Sequence, residues 1–194
     1  MIDIEYLGSG TPLQQEVYRL LSEHRLVEVL EAYDPILVGT VPLDIQIPDS
    51  DLDLICEVHH FEAFRNEVTS LFGHYPGFSV HQRVVQGIPR IKVNFHCMDW
   101  PVELFGQPIP THLQNGYRHM IVEARMLAMY GESFKQRIIS LKLAGLKTEP
   151  AFAKLLHLDG DPYERLLELA DKSDLELLKL LPGEANPNNI SYEE

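Results

Sequence analysis

The sequence is poor in cysteine, in basic residues and in long apolar runs. It contains only two cysteines, Cys56 and Cys97, which are too few for a disulfide framework. No apolar run approaches the roughly 18 residues of a transmembrane helix, and residues 1–5 lack the basic start and apolar core of a signal peptide. We therefore expect a cytoplasmic protein with no membrane partner, in which both cysteines are small core residues.

The shortage of basic residues makes some classes of binding partner unfavourable, nucleic acids above all. Sixteen Lys and Arg stand against 29 Asp and Glu, which gives a formal net charge of −13. Most of such a surface repels a phosphate backbone, so duplex nucleic acid is a poor substrate for this chain. A small nucleotide held by a few local cations, or a basic protein partner, remains compatible with this charge.

The remaining composition is that of a globular protein, with 45% hydrophobic and 23% charged residues. Hydrophobic periodicity predicts two helices, two strands, a helix, three strands and then helices only. This order indicates an α+β fold with a mixed β-sheet, flanking helices and a helical C-terminal half. We expect a core over residues 1–108 and a helical region over 109–194, with a loosely ordered Pro/Asn-rich end from 182.

Individual elements follow from local signals. Thr11-Pro12 is a typical helix start, and Asp34-Pro35 ends a second helix predicted over Glu23–Tyr33. Prolines and glycines predict turns at Gln86–Pro89 and Asp99–Pro101. The predicted strands are 36–38, 51–58, 78–85, 90–97 and 102–105, and the predicted later helices are 60–72, 111–130, 133–146, 150–157 and 161–181.

The segment Ser50–Ile55 carries the strongest chemical signal. Residues two apart on a strand share a face, so Asp51 and Asp53 lie on one face while Leu52 and Leu54 face the core. Two neighbouring carboxylates repel each other, but a divalent cation between them removes the repulsion. Carboxylate oxygens suit Mg²⁺, which keeps water or phosphate in its other positions.

Two further segments complete the predicted site. Gly39-Thr40 ends the preceding strand with a residue that has no side chain, so phosphate oxygens can approach backbone N–H groups. Glu103 is an acid between apolar residues on a predicted core strand, and a third carboxylate is what a two-metal site requires. Asp99 and Glu57 are alternatives for that third position.

These segments resemble the polymerase-β-like nucleotidyltransferase superfamily over roughly residues 12–106. The superfamily pattern is a glycine with a small hydroxyl residue, a strand with two acids separated by one apolar residue, and a later strand with a third acid. The chain is also similar to a bacterial family of nucleotidyltransferase-like proteins without assigned function, through Leu37–Leu43, Ser50–Cys56 and Asn115–Glu123.

The resemblance implies an enzyme that transfers a nucleoside monophosphate from a nucleoside triphosphate to an acceptor hydroxyl, with Mg²⁺ or Mn²⁺. It implies that Asp51 and Asp53 bind the metal ions, and that Glu103 also binds metal and helps to activate the acceptor. Gly39, Thr40 and Ser50 would then bind the nucleotide. Neither the base nor the acceptor is indicated.

The chain departs from the pattern next to Thr40. Small members of the superfamily often have an arginine soon after this position, where Val41–Asp44 stands here. The triphosphate therefore needs other cations, and Arg90 and Lys92, which alternate on a neighbouring strand, are predicted to supply them. Arg83 and Arg118 are alternatives.

Other interpretations have less support. Asp49, Asp51 and Asp53 mimic the start of a calcium-binding loop, but Leu54 stands where that loop requires glycine. The histidines lack the spacing of a zinc site. The alternative to an enzyme is a non-catalytic nucleotide-binding or regulatory module, such as the antitoxin of a toxin pair, and the missing arginine favours it.

Overall fold

The structure is a computed structural model that describes residues 4–181. Its single sheet has five strands in the order β1-β2-β5-β4-β3, and all neighbours are antiparallel except the parallel pair β2–β5. The strands are β1 (Ile36–Val38), β2 (Leu52–Glu57), β3 (Ser79–Val85), β4 (Ile88–Cys97) and β5 (Trp100–Gln107). The α-helices are α1 (Glu5–Gly8), α2 (Pro12–Glu23), α3 (Phe61–Phe72), α4 (Asn115–Leu143), α5 (Thr148–Leu155), α6 (Pro162–Ala170) and α7 (Asp174–Leu178).

Within the described residues the chain forms two compact units. The first comprises residues 4–44 and 49–117 and contains the sheet with α1, α2 and α3. The second comprises residues 45–48 and 118–181 and contains most of α4 together with α5, α6 and α7. None of the helices in the described part of the chain combines the length and apolarity needed to span a bilayer.

The sheet of the first unit has one buried face, and its other face, here called the open face, is partly exposed at its charged side chains although Val38 and Ile55 on it are buried. Along β4, residues alternate between fully buried and partly exposed, as period-two patterning requires. The buried face is continuous across the central strands, because Leu52 and Leu54 pack with Val93 and Leu104 in one core. The charged side chains of these strands are therefore left on the open face.

The first helical segment matches its sequence signals and the second does not. Thr11 caps α2, its side chain accepting from the backbone N–H of Gln14 in a capping box. The helix predicted over Glu23–Tyr33 is wrong in its first half. Arg25 adopts a left-handed conformation with φ 54°, so α2 ends and only a 3₁₀ helix, Glu28–Tyr33, follows.

The turns between β3, β4 and β5 are shorter than predicted. Gln86 and Gly87 have φ of 53° and 79°, which is the geometry of a two-residue hairpin turn. This turn places Pro89 inside β4, opposite Val84. Likewise, Pro101 lies inside β5, opposite His96. The strand boundaries are therefore set by the tight turns and not by the prolines, which lie inside the strands.

The second unit confirms the predicted break at Gly131, whose φ of 74° and ψ of −164° divide α4 into two helical segments. The single helix predicted over 161–181 is wrong, because Ser173 and Glu176 form a capping box that begins α7. The loosely ordered end predicted from residue 182 lies outside the described residues. A buried core of Phe134, Phe152 and Leu166 lies within this unit.

Candidate active site

The open face of the sheet brings together residues from four strands. Val38 on β1 pairs with Asp53 on β2, Asp53 pairs with Glu103 on β5, and Glu103 pairs with Asn94 on β4. Residues paired directly across a sheet point to the same face. The two acids of this row are therefore adjacent, although 49 residues separate them along the chain.

Three carboxylates converge at this row. Oxygens of Asp51, Asp53 and Glu103 all lie within 4.8 Å of one another, and all three residues are half-buried. Leu52 and Leu54, which alternate with the aspartates, are completely buried on the other face. The local sequence thus fixes the direction of both aspartates, and the parallel pairing of β2 with β5 adds Glu103.

Gly39 lies against this cluster at the end of β1. Its φ is 82°, and a Cβ at this position would lie 2.7 Å from Oδ2 of Asp53. Only glycine combines this conformation with so close an approach. The loop that follows is held at one point by the Thr40 hydroxyl, which donates to Oγ of Ser50 at 3.2 Å. Thr40 and Ser50 therefore lie beside each other.

A cation from the neighbouring strand contacts the cluster. The ammonium of Lys92 forms a close ion pair with Oε2 of Glu103, and the two side chains are 45% and 22% exposed. Lys92 reaches Glu103 diagonally, since its direct partner on β5 is Phe105. Glu103 is therefore partly neutralised by the protein itself.

Of the other predicted cations, Arg90 and Arg83 share the sheet face of the carboxylates, and Arg118 does not belong to the sheet. The guanidinium carbon of Arg90 is 6.0 Å from the centroid of the Phe105 ring, and Arg83 lies opposite Arg90 on β3. Arg118 belongs to the second unit, where its guanidinium donates to both carboxylate oxygens of Asp171 at 2.8 Å. Arg118 is thus engaged in an ion pair of that unit.

The two alternative acids do not join the cluster. Asp99 is exposed in the turn between β4 and β5, and Oε1 of Glu57 is 2.7 Å from Nε2 of His59. Among residues 4–181, the three carboxylates of the cluster are the one group of three or more His, Cys, Asp or Glu side chains close enough to share a metal ion. The roles of the site residues stay predictions.

These carboxylates fit a divalent cation by the chemistry of the donor set. All three ligating groups are hard oxygen donors, which Mg²⁺ and Mn²⁺ prefer. The ammonium of Lys92 already stands as a cation against one of them. The Asp53 carboxylate lies so close to Gly39 that a Cβ there would be 2.7 Å from its Oδ2, so any other residue at position 39 would displace this proposed ligand.

Sequence reasoning missed a buried acid in the second unit. Glu123 is only 3% exposed, and burial raises the pKa of its carboxyl well above the ordinary range; Glu149 raises this pKa further, whereas Lys142 lowers it. The signal was available, because Glu123 stands three residues from both Met120 and Met126, which are buried.

Comparison with known proteins adds a family. Residues 19–169 match the model of a family described as a domain of unknown function, DUF4269. None of the curated proteins matches the chain.

Comparison with solved structures concerns the fold. A crystal structure of the Cid1 poly(U) polymerase has a TM-score of 0.50, with 14% identity over 80% of this chain and 48% of that chain. The polymerase core of TRAMP, an RNA surveillance complex, also has a TM-score of 0.50, with 15% identity over 93% of this chain and 62% of that one. A Cid1 structure bound to Mg and 3′-dATP has a TM-score of 0.49, with 14% identity over 85% and 48%.

The chain spans about half the length of the Cid1 structures that it matches. The predicted α+β fold class is confirmed: the five-stranded mixed sheet and the helical C-terminal half are similar in fold to the TRAMP polymerase core.

Proposed function

The chain belongs to the DUF4269 family, and we propose that it is a metal-dependent nucleotidyltransferase, which transfers a nucleoside monophosphate from a nucleoside triphosphate to an acceptor hydroxyl. The observation that carries this proposal is the convergence of three carboxylates within 4.8 Å on the open face of the sheet. Such a cluster is costly without a cation and suited to phosphoryl chemistry with one.

The proposed ligands of Mg²⁺ or Mn²⁺ are Asp51, Asp53 and Glu103. The metal, when bound, neutralises charge on the triphosphate and lowers the barrier to displacement at phosphorus. Because Gly39 has no side chain, phosphate oxygens can approach its backbone N–H, and the hydroxyls of Thr40 and Ser50 lie at the same end of the site. We therefore assign these three residues to the triphosphate.

Glu103 has the proposed role of proton acceptor. It takes the proton of the acceptor hydroxyl as that oxygen bonds to the α-phosphorus, and the bond from the α-phosphorus to the bridging oxygen breaks to release pyrophosphate. The ammonium of Lys92 forms an ion pair with Glu103. When Glu103 takes up the proton and loses its negative charge, this ammonium is free to interact with the reacting phosphate instead. Positioning and charge neutralisation supply most of such catalysis.

One observation favours a second candidate, a nucleotide-binding or regulatory module without turnover. The pairing of Glu103 with Lys92 satisfies the third acid from within the protein. In a binding module, replacement of Glu103 costs little nucleotide affinity, whereas in the enzyme it abolishes transfer.

The decisive experiment is incubation of the full chain with each of four α-labelled triphosphates, with Mg²⁺ or Mn²⁺, and with a cell extract as source of acceptors. We expect label on a metabolite or on a protein. Label that appears nowhere, with every triphosphate and both metals, would contradict the enzymatic function and support the binding module.

Matched variants sharpen this experiment. Glu103→Gln should abolish labelling while leaving triphosphate binding within a few-fold of wild type. Asp99→Asn removes the same charge from an exposed turn near β5 and should leave labelling unchanged. Equal loss in both variants would mean that the effect comes from charge or folding and not from the site.

A further inference from the structure

Two arginines lie opposite each other on the open face of the sheet, and no contact within the described part of the chain compensates the repulsion between them. Arg83 on β3 lies directly opposite Arg90 on β4. Arg90 alternates along β4 with Lys92 and Asn94, and Asn94 is paired with Glu103, so all of these side chains share the face of the carboxylates. Like charges directly opposite each other destabilise a sheet, so packing does not explain this pair.

Neither arginine has a polar partner within residues 4–181. The other arginines of that segment make hydrogen bonds or other polar contacts. Nε of Arg90 is buried without a hydrogen-bond partner, although its guanidinium packs near the Phe105 ring. A buried donor left unpaired costs free energy. An anion that accepts from the terminal N–H groups of both guanidinium groups removes the repulsion between them.

The strand order shows on which side of the carboxylates this anion would lie. Gly39 lies next to Asp53 on the β1 side, whereas Arg83 and Arg90 lie on β3 and β4, beyond Glu103. In an in-line displacement, the attacking and leaving oxygens stand on opposite sides of the phosphorus. If pyrophosphate leaves toward Gly39, the acceptor approaches from the side of the arginines.

We propose that Arg83 and Arg90 bind a phosphate group of the acceptor, which is therefore a small phosphorylated molecule whose free hydroxyl reaches Glu103. This inference rests on the proposed function, and it moves Arg90 from the triphosphate, where the sequence predicts it, to the acceptor. Arg90 is four residues from Asn94 on β4, or about 13 Å along the strand. Long arginine side chains shorten this span to one that a sugar phosphate or a mononucleotide can bridge.

The same charges argue against a polynucleotide acceptor. The cationic block contains Arg83, Arg90 and Lys92, and Lys92 is already paired with Glu103. Further phosphates of a long strand would meet a chain with a net charge of −13, whose surface repels them. The block is sized for a single phosphate group.

Titration calorimetry on the full chain, without metal or triphosphate, tests the site. The probes are ribose 5-phosphate, ribose, inorganic phosphate and a single-stranded RNA of ten nucleotides. We expect wild type to bind ribose 5-phosphate and inorganic phosphate, and not ribose. The Arg83→Gln/Arg90→Gln variant should lose at least tenfold in affinity for both, and Arg83→Lys/Arg90→Lys should recover part of it.

Arg65→Gln is the matched control, because Arg65 on α3 bonds to Gln82, a residue of β3 on the opposite face of the sheet from Arg83. It should leave phosphate binding unchanged. Equal binding of ribose and ribose 5-phosphate would overturn the proposal. So would RNA that binds more tightly than ribose 5-phosphate through the two arginines. In a separate titration with Mg²⁺ and triphosphate, a loss of triphosphate affinity in the double variant would also overturn it.

The outcome is distinguishable from failure of the proposed function. Absence of phosphate binding contradicts this site alone, since no metal or triphosphate is present. Absence of label on every acceptor in the transfer experiment contradicts the enzyme and, with it, the acceptor role of the bound phosphate.

Discussion

Gly39 and Asp53 share a space that only one side chain can occupy. A Cβ on Gly39 would meet Oδ2 of Asp53 at 2.7 Å, and the backbone there has φ 82°. Gly87, in the β3–β4 turn, has nearly the same φ of 79° but nothing within 4 Å of its would-be Cβ. A substitution at Gly87 therefore measures the cost of backbone strain alone, whereas the same substitution at Gly39 adds the cost of contact with Asp53.

Gly87→Ala should lose only the cost of a left-handed conformation, about 1–2 kcal/mol. Gly39→Ala should lose more, because the added methyl also displaces the Asp53 carboxylate. At about 2–4 °C per kcal/mol for a chain of this size, thermal melts resolve the difference. Melting temperatures that fall equally in both variants would show that Asp53 moves aside without cost.

Asp51 provides a second test of the site at the same scale. In the metal-free protein it contributes repulsion within the carboxylate cluster, so Asp51→Asn should be as stable as wild type or more stable by about 1 kcal/mol or less. Mg²⁺ with a bound triphosphate at 100 times its dissociation constant should stabilise wild type by about 2.7 kcal/mol. Asp51→Asn should lose most of that gain.

Asp49→Asn is the control for this melt, because Asp49 is an exposed acid two residues away. It should keep the full stabilisation by metal and triphosphate. An Asp51→Asn protein that melts well below wild type without metal would identify Asp51 as a structural residue. Equal gains in all three proteins would put the ligand elsewhere.

At the scale of elements, the alternation of buried and exposed side chains along each strand was predictable from the sequence, whereas the register between strands was not. Leu52 and Leu54, which alternate with the aspartates, mark the buried face of β2, so the direction of Asp51 and Asp53 follows from local sequence. The contact of Lys92 with Glu103 depends on the register of β4 against β5, and that register follows from a two-residue turn with Met98 at φ 54°. Proline at position 101 predicted a later strand start, so no local signal gave this register.

Helix α4 poses a different question, because it buries an acid. Burial, and then Glu149, raise the pKa of Glu123 well above the ordinary range, against a lowering by Lys142. The ammonium of Lys142 donates to the backbone oxygen of Ile45 at 2.7 Å. Lys142 thus has a backbone acceptor in Ile45, while Oε1 of Glu123 is buried without a hydrogen-bond partner among the described residues. Glu123 can therefore stay protonated in the folded protein.

The raised pKa of Glu123 has a definite sign for stability. The folded protein holds the Glu123 proton more tightly than the unfolded chain does, so stability from this group is fully present below the ordinary carboxyl pKa of about 4.3. It falls as pH rises from there toward the folded pKa. Glu123→Gln cannot ionise, so its melting temperature should exceed that of wild type at pH 7–8, with a difference that shrinks toward pH 4.

Thermal melts of wild type, Glu123→Gln and Glu132→Gln across pH 4–8 measure this effect. Glu132 is an exposed acid on the same helix, and its replacement should change little at any pH. A Glu123→Gln protein that is less stable at every pH would show that Glu123 is ionised and paired with Lys142 in the folded state.

At the scale of the whole molecule, charge is distributed unevenly. The chain carries a net charge of −13, yet Arg83, Arg90 and Lys92 are grouped on one face of the sheet. A local cationic block in an acidic protein favours small anions over extended ones, because an extended anion must also cross the repelling surface. Duplex nucleic acid is the extreme case of an extended anion.

We therefore expect no binding of a 20-base-pair duplex at physiological salt and micromolar protein, where non-specific DNA-binding proteins with dissociation constants near 10⁻⁶ M already bind. Fluorescence anisotropy over a series of salt concentrations makes the result quantitative, because the slope of log K against log salt is about −0.9 per phosphate contacted. Weak binding at low salt with a slope of about −2 to −3 would match two or three phosphate contacts by the cationic block alone. Such binding should disappear in Arg83→Gln/Arg90→Gln. Tight binding with a slope near −6 or steeper would require a larger basic surface than residues 4–181 present, and would contradict both the charge argument and a small acceptor.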